Sequence, residues 1–233
     1  YPNTELSAQI LFWFGERYYN AGDYAKAQAY FSKIEADFPY SKIAGGASYW
    51  RASALYKKGE RDAALKKLSE ISVKYPESDL APKSILKMGE ILVEAGDIKA
   101  GLGKFEELVY SYPNSEFARA AHKEAGEALK DAHSYNLAAA HFKKALTEED
   151  SEMNAETQYN IAQCAEASGD LRAAVEEYLK VSYLYPSARF WGIKSEFRCA
   201  QIFEKNNEVE KAKKIYERLA GEPVEEGKYA KER

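Results

Sequence analysis

Four groups of residues in this chain of 233 have side chains that could do chemistry. Gly101-Leu102-Gly103-Lys104 has the glycines and lysine of a phosphate-cradling loop. It lacks the full glycine spacing, however, and it lies in a helix-periodic stretch with no strand before it. His122, His133 and His141 offer imidazole ligands, but no two of them have the H-x3-H type of spacing that a zinc site uses. Glu106-Glu107 and Glu176-Glu177 are adjacent carboxylates, the pattern of a solvated helix face rather than of an acid–base pair. Cys164 and Cys199 are too few for a disulfide framework. They read as two buried thiols acting as small hydrophobes, with one bridge between them left open. No serine or cysteine has a base placed beside it in sequence. The chain is therefore expected to be no enzyme, with no cofactor and no metal.

The elements that carry these residues repeat. Residues 11 to 39 read Leu11-x2-Phe14-Gly15-x2-Tyr18, then Gly22-Asp23, Ala27-x3-Phe31 and Pro39. Two apolar-periodic segments are thus joined at a Gly-Asp break and closed by a proline. Gly22, Gly59, Gly96, His133, Gly169 and Asn207 mark the same break down the chain, at spacings of 37, 37, 37, 36 and 38 residues. Such self-similarity decides the fold by itself. It predicts units at about 4–39, 41–76, 78–113, 115–150, 151–186 and 188–223, followed by a polar tail at 224–233. Each unit is a helix, a tight break at positive φ, a second helix and a turn marked by proline. Prolines 39, 76, 113, 186 and 223 are expected to stop the second helices. Thr4, Ser41, Ser78 and Ser115 are expected to cap the first helices.

Small residues recur in the first helix at Gly15, Ala52, Gly89, Gly126, Ala162 and Ala200. A second small slot holds Ala27, Ala64, Gly101, Ala138, Ala174 and Ala212. Four residues after it comes a large apolar one: Phe31, Leu68, Phe105, Phe142, Tyr178 and Tyr216. Small slots on both helices allow close approach and the large residue fills the rest, so each pair must lean on the next. The aromatic before the proline (Tyr1, Phe38, Tyr75, Tyr112, Tyr185) is read as packing between units. Tyr1-Pro2 occupies the slot that closes a unit, which points to a fragment of a longer protein.

Composition narrows the partners. A net charge of -4 with 30% charged residues argues against a basic nucleic-acid stripe. No apolar run reaches the roughly 18–20 residues of a membrane span.

The residues quoted above resemble the tetratricopeptide repeat, with leucine replacing the usual tryptophan at Leu11. The joints Tyr75-Pro76-Glu77-Ser78-x2-Ala81 and Tyr112-Pro113-Asn114-Ser115-x2-Ala118 are similar to those of bacterial cell-envelope members. Those members are the lipoprotein of the outer-membrane assembly machine and the Tol–Pal-associated coordinator. The resemblance implies an all-α, right-handed solenoid of about six antiparallel helix pairs. It also implies a protein–protein interaction scaffold that binds a peptide or partner domain in its groove, in the periplasm or cell envelope. A cytoplasmic location, a self-association module and a regulatory arm of a larger protein remain as alternatives.

In this family the first helices make the inner wall. That position implies Gln9, Phe12, Glu16 and Tyr19, then Tyr49, Ser53, Tyr56 and Lys57, then Lys83, Leu86, Glu90 and Val93. Further on it implies Lys123, Glu127 and Lys130, then Tyr159 and Gln163, then Phe197 and Gln201. The set expected to touch a partner is Phe12, Glu16, Tyr19, Tyr49, Ser53, Tyr56, Lys83, Leu86, Glu90, Tyr159 and Phe197. Phe12 and Glu16 stand where chaperone-binding members carry a carboxylate clamp, so that clamp is not expected.

Overall fold

The computed structural model describes residues 4–223 and 225–232. Among these it contains thirteen α-helices and no strand. The chain divides into two compact units, Tyr1–Ala121 and His122–Arg233. The first holds α1 (Glu5–Asn20), α2 (Tyr24–Asp37), α3 (Ala44–Lys57), α4 (Arg61–Lys74), α5 (Leu80–Glu94) and α6 (Ile98–Ser111). Helix α7 (Glu116–Asp131) carries the division. The second unit continues with α8 (Tyr135–Ala145), α9 (Glu152–Ala167), α10 (Leu171–Leu184), α11 (Arg189–Lys205), α12 (Val209–Leu219) and α13 (Glu225–Ala230).

All six breaks adopt positive φ, from 56° at His133 to 89° at Gly169, and no other described residue does. Each closes a pair of backbone bonds that satisfies the last carbonyls of the helix before it. At the first, the Gly22 N–H donates to Tyr19 O (3.0 Å) and the Asp23 N–H to Tyr18 O (2.9 Å). His133 holds the same geometry without glycine's freedom, and its Nδ1 lies 2.8 Å from the Tyr135 hydroxyl. Asp23, Asp97 and Asp170 then cap the second helices, accepting N–H bonds from Lys26, Ala100 and Ala173 at 3.0–3.1 Å.

The joints are turns closed by hydrogen bonds. In Tyr75-Pro76-Glu77-Ser78 the serine N–H donates to Tyr75 O (3.1 Å), with proline at the position whose fixed φ suits it. The aromatic before the proline leaves the helix at φ near -130° (Phe38, Tyr75, Tyr112 and Tyr185), as the proline ring requires of its predecessor. Two expectations need correction here. Ser41 and Ser78 are not N-caps: each Oγ accepts from the N–H two residues on (3.3 and 3.2 Å) and braces the turn, while the cap positions of α3 and α5 fall to Ile43 and Asp79. Thr4 caps α1, and Ser115, directly before α7, accepts the Phe117 N–H (3.2 Å). Pro223 does not stop α12, which already ends at Leu219. The Tyr1-Pro2 slot lies outside the described residues.

Unit four has no proline, and an asparagine does the work instead. Asn154, fully buried, donates from Nδ2 to Thr147 Oγ1 (2.7 Å) and Glu149 O (2.7 Å) and accepts from the Thr147 N–H (3.3 Å). The polar tail is also more ordered than its composition suggests. Tyr229 of α13 packs edge-on to Phe197 (5.2 Å) and against Tyr216 (6.1 Å).

The slots lock helix to helix. A Cβ built on Gly15 would lie 2.5 Å from Phe31, one on Gly89 2.4 Å from Phe105, and one on Gly126 2.7 Å from Phe142. Phenylalanine therefore sits directly over the partner backbone wherever the first slot is glycine. Where that slot is Ala162 or Ala200 the large residue is tyrosine, whose hydroxyl reaches Glu166 (2.8 Å) or Glu204 (3.1 Å) four residues on.

The two glycines inside α6 are not equivalent. A Cβ on Gly101 would meet Val93 Cγ2 at 2.5 Å and Gly89 O at 3.0 Å, whereas one on Gly103 meets nothing within 4 Å. Gly103→Ala is expected to stabilise the first unit by about 1 kcal/mol through helix propensity. Gly101→Ala should destabilise it, because overpacking costs about 1–3 kcal/mol. Urea unfolding of the two variants measures both signs.

Candidate partner-binding face

Within the first unit the first helices also meet one another directly, α1 with α3 and α3 with α5. Their shared face carries a linked set of side chains. Tyr19 of α1 packs edge-on to Trp50 of α3 (5.0 Å) and to Tyr24 (5.2 Å). Lys83 of α5 places Nζ 4.6 Å from the centre of the Tyr49 ring, and Lys87 lies 5.8 Å from that of Tyr56. Lys87 pairs with Glu90 (2.7 Å), and the Tyr56 hydroxyl donates to the Glu94 carboxylate.

These tyrosines are half-buried donors. Burial, with Glu90 nearby, pushes Tyr49 up to about 12. The hydrogen bond to Glu94, with burial, pushes Tyr56 up to about 12. Burial raises Tyr19 as well. All three keep their protons at any ordinary pH, presenting hydroxyl donors beside apolar rings and two lysines. Such groups combine large contact area with few rotatable bonds.

The other expected residues fall into two sets. Glu16, Leu86 and Val93 are half-buried on the same helices, while Gln9 and Lys57 are exposed. Phe12 lies edge-on to Phe31 (5.5 Å), which ties it to packing. Ser53 is buried and its hydroxyl donates back to Tyr49 O (3.2 Å). Lys87 and Glu94 complete the face, and the helix phase used in the sequence reading missed both. Their signal was Lys87 at i+4 from Lys83 and Glu94 at i+4 from Glu90, the spacing that stacks side chains on one helical stripe.

In the second unit the first-helix residues mostly bind each other. Lys130 reaches Glu127 (2.8 Å) and Asn160 (2.8 Å), and Asn160 donates to Glu127 (2.7 Å). Lys123 pairs with Glu156, and Arg198 with Glu166 and Gln201. Beside this network, Lys130, His133, Tyr135, Gln163, Glu166 and Arg198 line an open cleft of about 680 Å³. Tyr159 is buried between Tyr178 and Trp191, with ring centres 5.2 Å from each, and Phe197 lies under Tyr229. Both therefore serve the core in this structure.

The residues of reactive type are placed as follows. Gly101 to Lys104 lie within α6. His122 and His141 meet, with Nδ1 atoms 3.3 Å apart, but among the described residues no three His, Cys, Asp or Glu side chains could share a metal ion. Cys164 and Cys199 are buried and unbridged. Burial pushes these thiols up to about 11 and about 12. Neither should react with a thiol reagent at pH 8 in the native chain, and both should react in denaturant. A thiol titration under the two conditions tests this.

Stacked helix pairs of this kind define a helical repeat protein, and residues 123–189 match the family model described as tetratricopeptide repeat. A second model, YfiO, described as outer membrane lipoprotein, matches residues 4–147, more than half of the chain. The chain belongs to this outer membrane lipoprotein family. No curated protein sequence matches it.

Solved structures with the same fold include the C-terminal part of a TPR repeat-containing protein from Cytophaga hutchinsonii. It is 17% identical, with a TM-score of 0.65, covering 90% of this chain and 78% of that one. BtubC from P. vanneervenii is 14% identical (TM-score 0.65; 79% and 82% covered). A MamA fragment from Desulfovibrio magneticus is 17% identical (TM-score 0.55; 75% and 92% covered). Among the described residues no helix is long and apolar enough to cross a membrane.

Proposed function

We propose that this chain is a non-enzymatic scaffold that holds a partner protein or peptide on the first-helix face of Tyr1–Ala121, in the assembly of a bacterial cell envelope. One observation carries the reading: Tyr19, Tyr49 and Tyr56 line one face with Lys83, Lys87 and Glu90, half-exposed and with no catalytic group among them. Rigid rings rimmed by charge are the composition of interface hot spots. Membership of a family described as outer membrane lipoprotein supports the envelope and a periplasmic setting. The mixed charge of the face favours a partner segment with apolar anchors and both signs of charge, rather than a polyanion.

The test is co-purification from detergent-solubilised bacterial envelopes. A defined protein should be recovered at fixed stoichiometry with the native chain and with the surface variant Tyr110→Ala. Loss from the native chain, or equal recovery with a chain lacking the three tyrosine rings, would overturn the reading.

A further inference from the structure

Helix α1 leaves an apolar stripe exposed in the first unit, its Phe14 edge resting on Tyr30 of α2 (5.5 Å). Leu6, Ile10, Trp13 and Phe14 fall at i, i+4, i+7 and i+8 and are 63%, 49%, 53% and 36% exposed. The 37-residue register says what this row is for. Leu6, Ile10, Trp13 and Arg17 correspond to Ile43, Ala47, Trp50 and Ala54 of α3. In α3 that row receives the preceding second helix: Ala47 and Ala54 share a core with Ala27, Phe31 and Ile34 of α2, flanked by Ile43 and Trp50. Helices α2 and α3 run antiparallel, the end of α3 meeting the N-terminal part of α2, where Lys58 Nζ donates to Gln28 Oε1 (2.6 Å). Helices α4 and α5 meet in the same order, and in α1 the corresponding Leu6, Ile10 and Trp13 are left exposed by the described residues.

We infer that the open face of α1 seats the second helix of a further helix pair, laid antiparallel to it as α2 lies on α3. The face also restricts which helix fits. Where α3 offers Ala47 and Ala54 to Phe31 and Ile34, α1 offers the bulkier Ile10 and Arg17. The occupant therefore carries small residues at those two places. Its first turn falls beside Arg17, where an acidic cap of the Asp23, Asp97 or Asp170 type gains a cationic neighbour.

The test adds such a helix to the chain. A second copy of residues 23–37, carrying Phe31→Ala and Ile34→Ala, is placed directly before Tyr1, so that Tyr1-Pro2 takes the slot of Phe38-Pro39. The reporter is Leu6→Cys, since the native thiols are buried. Its labelling rate should fall several-fold in the extended chain while helical circular dichroism rises. Trp13→Asp in the extended chain should restore fast labelling. Unchanged labelling on extension would overturn the inference. Slower labelling of the unextended chain as its concentration rises would assign the face to a second copy. Slower labelling on adding anionic lipid vesicles would assign it to a membrane, and either result also overturns it.

Discussion

Phe105→Ala is expected to remove about 3–5 kcal/mol from the stability of the first unit, the range for emptying a buried phenylalanine site. The ring is 2% exposed and sits over the bare backbone of Gly89, which has no side chain to fill the space. Loss on that scale is a large fraction of a domain's total stability. Urea unfolding followed by circular dichroism should show the transition of Tyr1–Ala121 at much lower denaturant. Ala162 and Ala200 pair with tyrosine instead, and Tyr178→Phe tests that variant of the lock more gently. It leaves Glu166 with Arg198 as partner and should cost about 1 kcal/mol, the net value of one hydrogen bond.

The second large effect is on binding. Replacing Tyr19, Tyr49 and Tyr56 together by alanine should weaken the partner complex by at least about 30-fold, the equivalent of about 2 kcal/mol. Central aromatic anchors carry energies of this size, whereas rim residues do not. Tyr110 and Tyr183 lie on second helices, 90% and 84% exposed, and their alanine variants should bind as the native chain does. Titration of the recovered partner by calorimetry, with thermal unfolding as a control on folding, separates loss of the face from loss of the fold. Tyr56 is the more telling single change, because it is half-exposed and ties itself to the next first helix through Lys87 at its ring and Glu94 at its hydroxyl.

The repeat was legible because its physical demands fall on fixed residue types. A positive φ asks for glycine or asparagine, and a helix crossing at close range asks for glycine or alanine. Gly22, Gly15 and Phe31 answer those demands, and the structure places each in the predicted role. What the sequence hid depends on neighbours that are distant along the chain. Tyr159 reads as a wall residue by position, yet it is buried between Tyr178 and Trp191, the tryptophan standing where other units have leucine, isoleucine, phenylalanine or methionine. Phe197 is covered by Tyr229 from a tail whose composition is otherwise strongly polar. Asn154 leaves no periodic trace, since its bonds to Thr147 and Glu149 replace a proline found elsewhere. Lys87 and Glu94 were missed for a simpler reason. One residue rotates a helix by about 100°, so a small phase error exchanges one stripe for its neighbour.

Photo-crosslinking decides most directly whether the first-helix face of Tyr1–Ala121 holds a partner. Tyr56 and, in a separate chain, Tyr110 are replaced by p-benzoyl-phenylalanine, and each chain is irradiated in bacterial envelopes. A discrete adduct from position 56, absent from position 110 and lost when Tyr19 and Tyr49 are alanine, is the expected result. An adduct from position 110 with none from position 56 would contradict it.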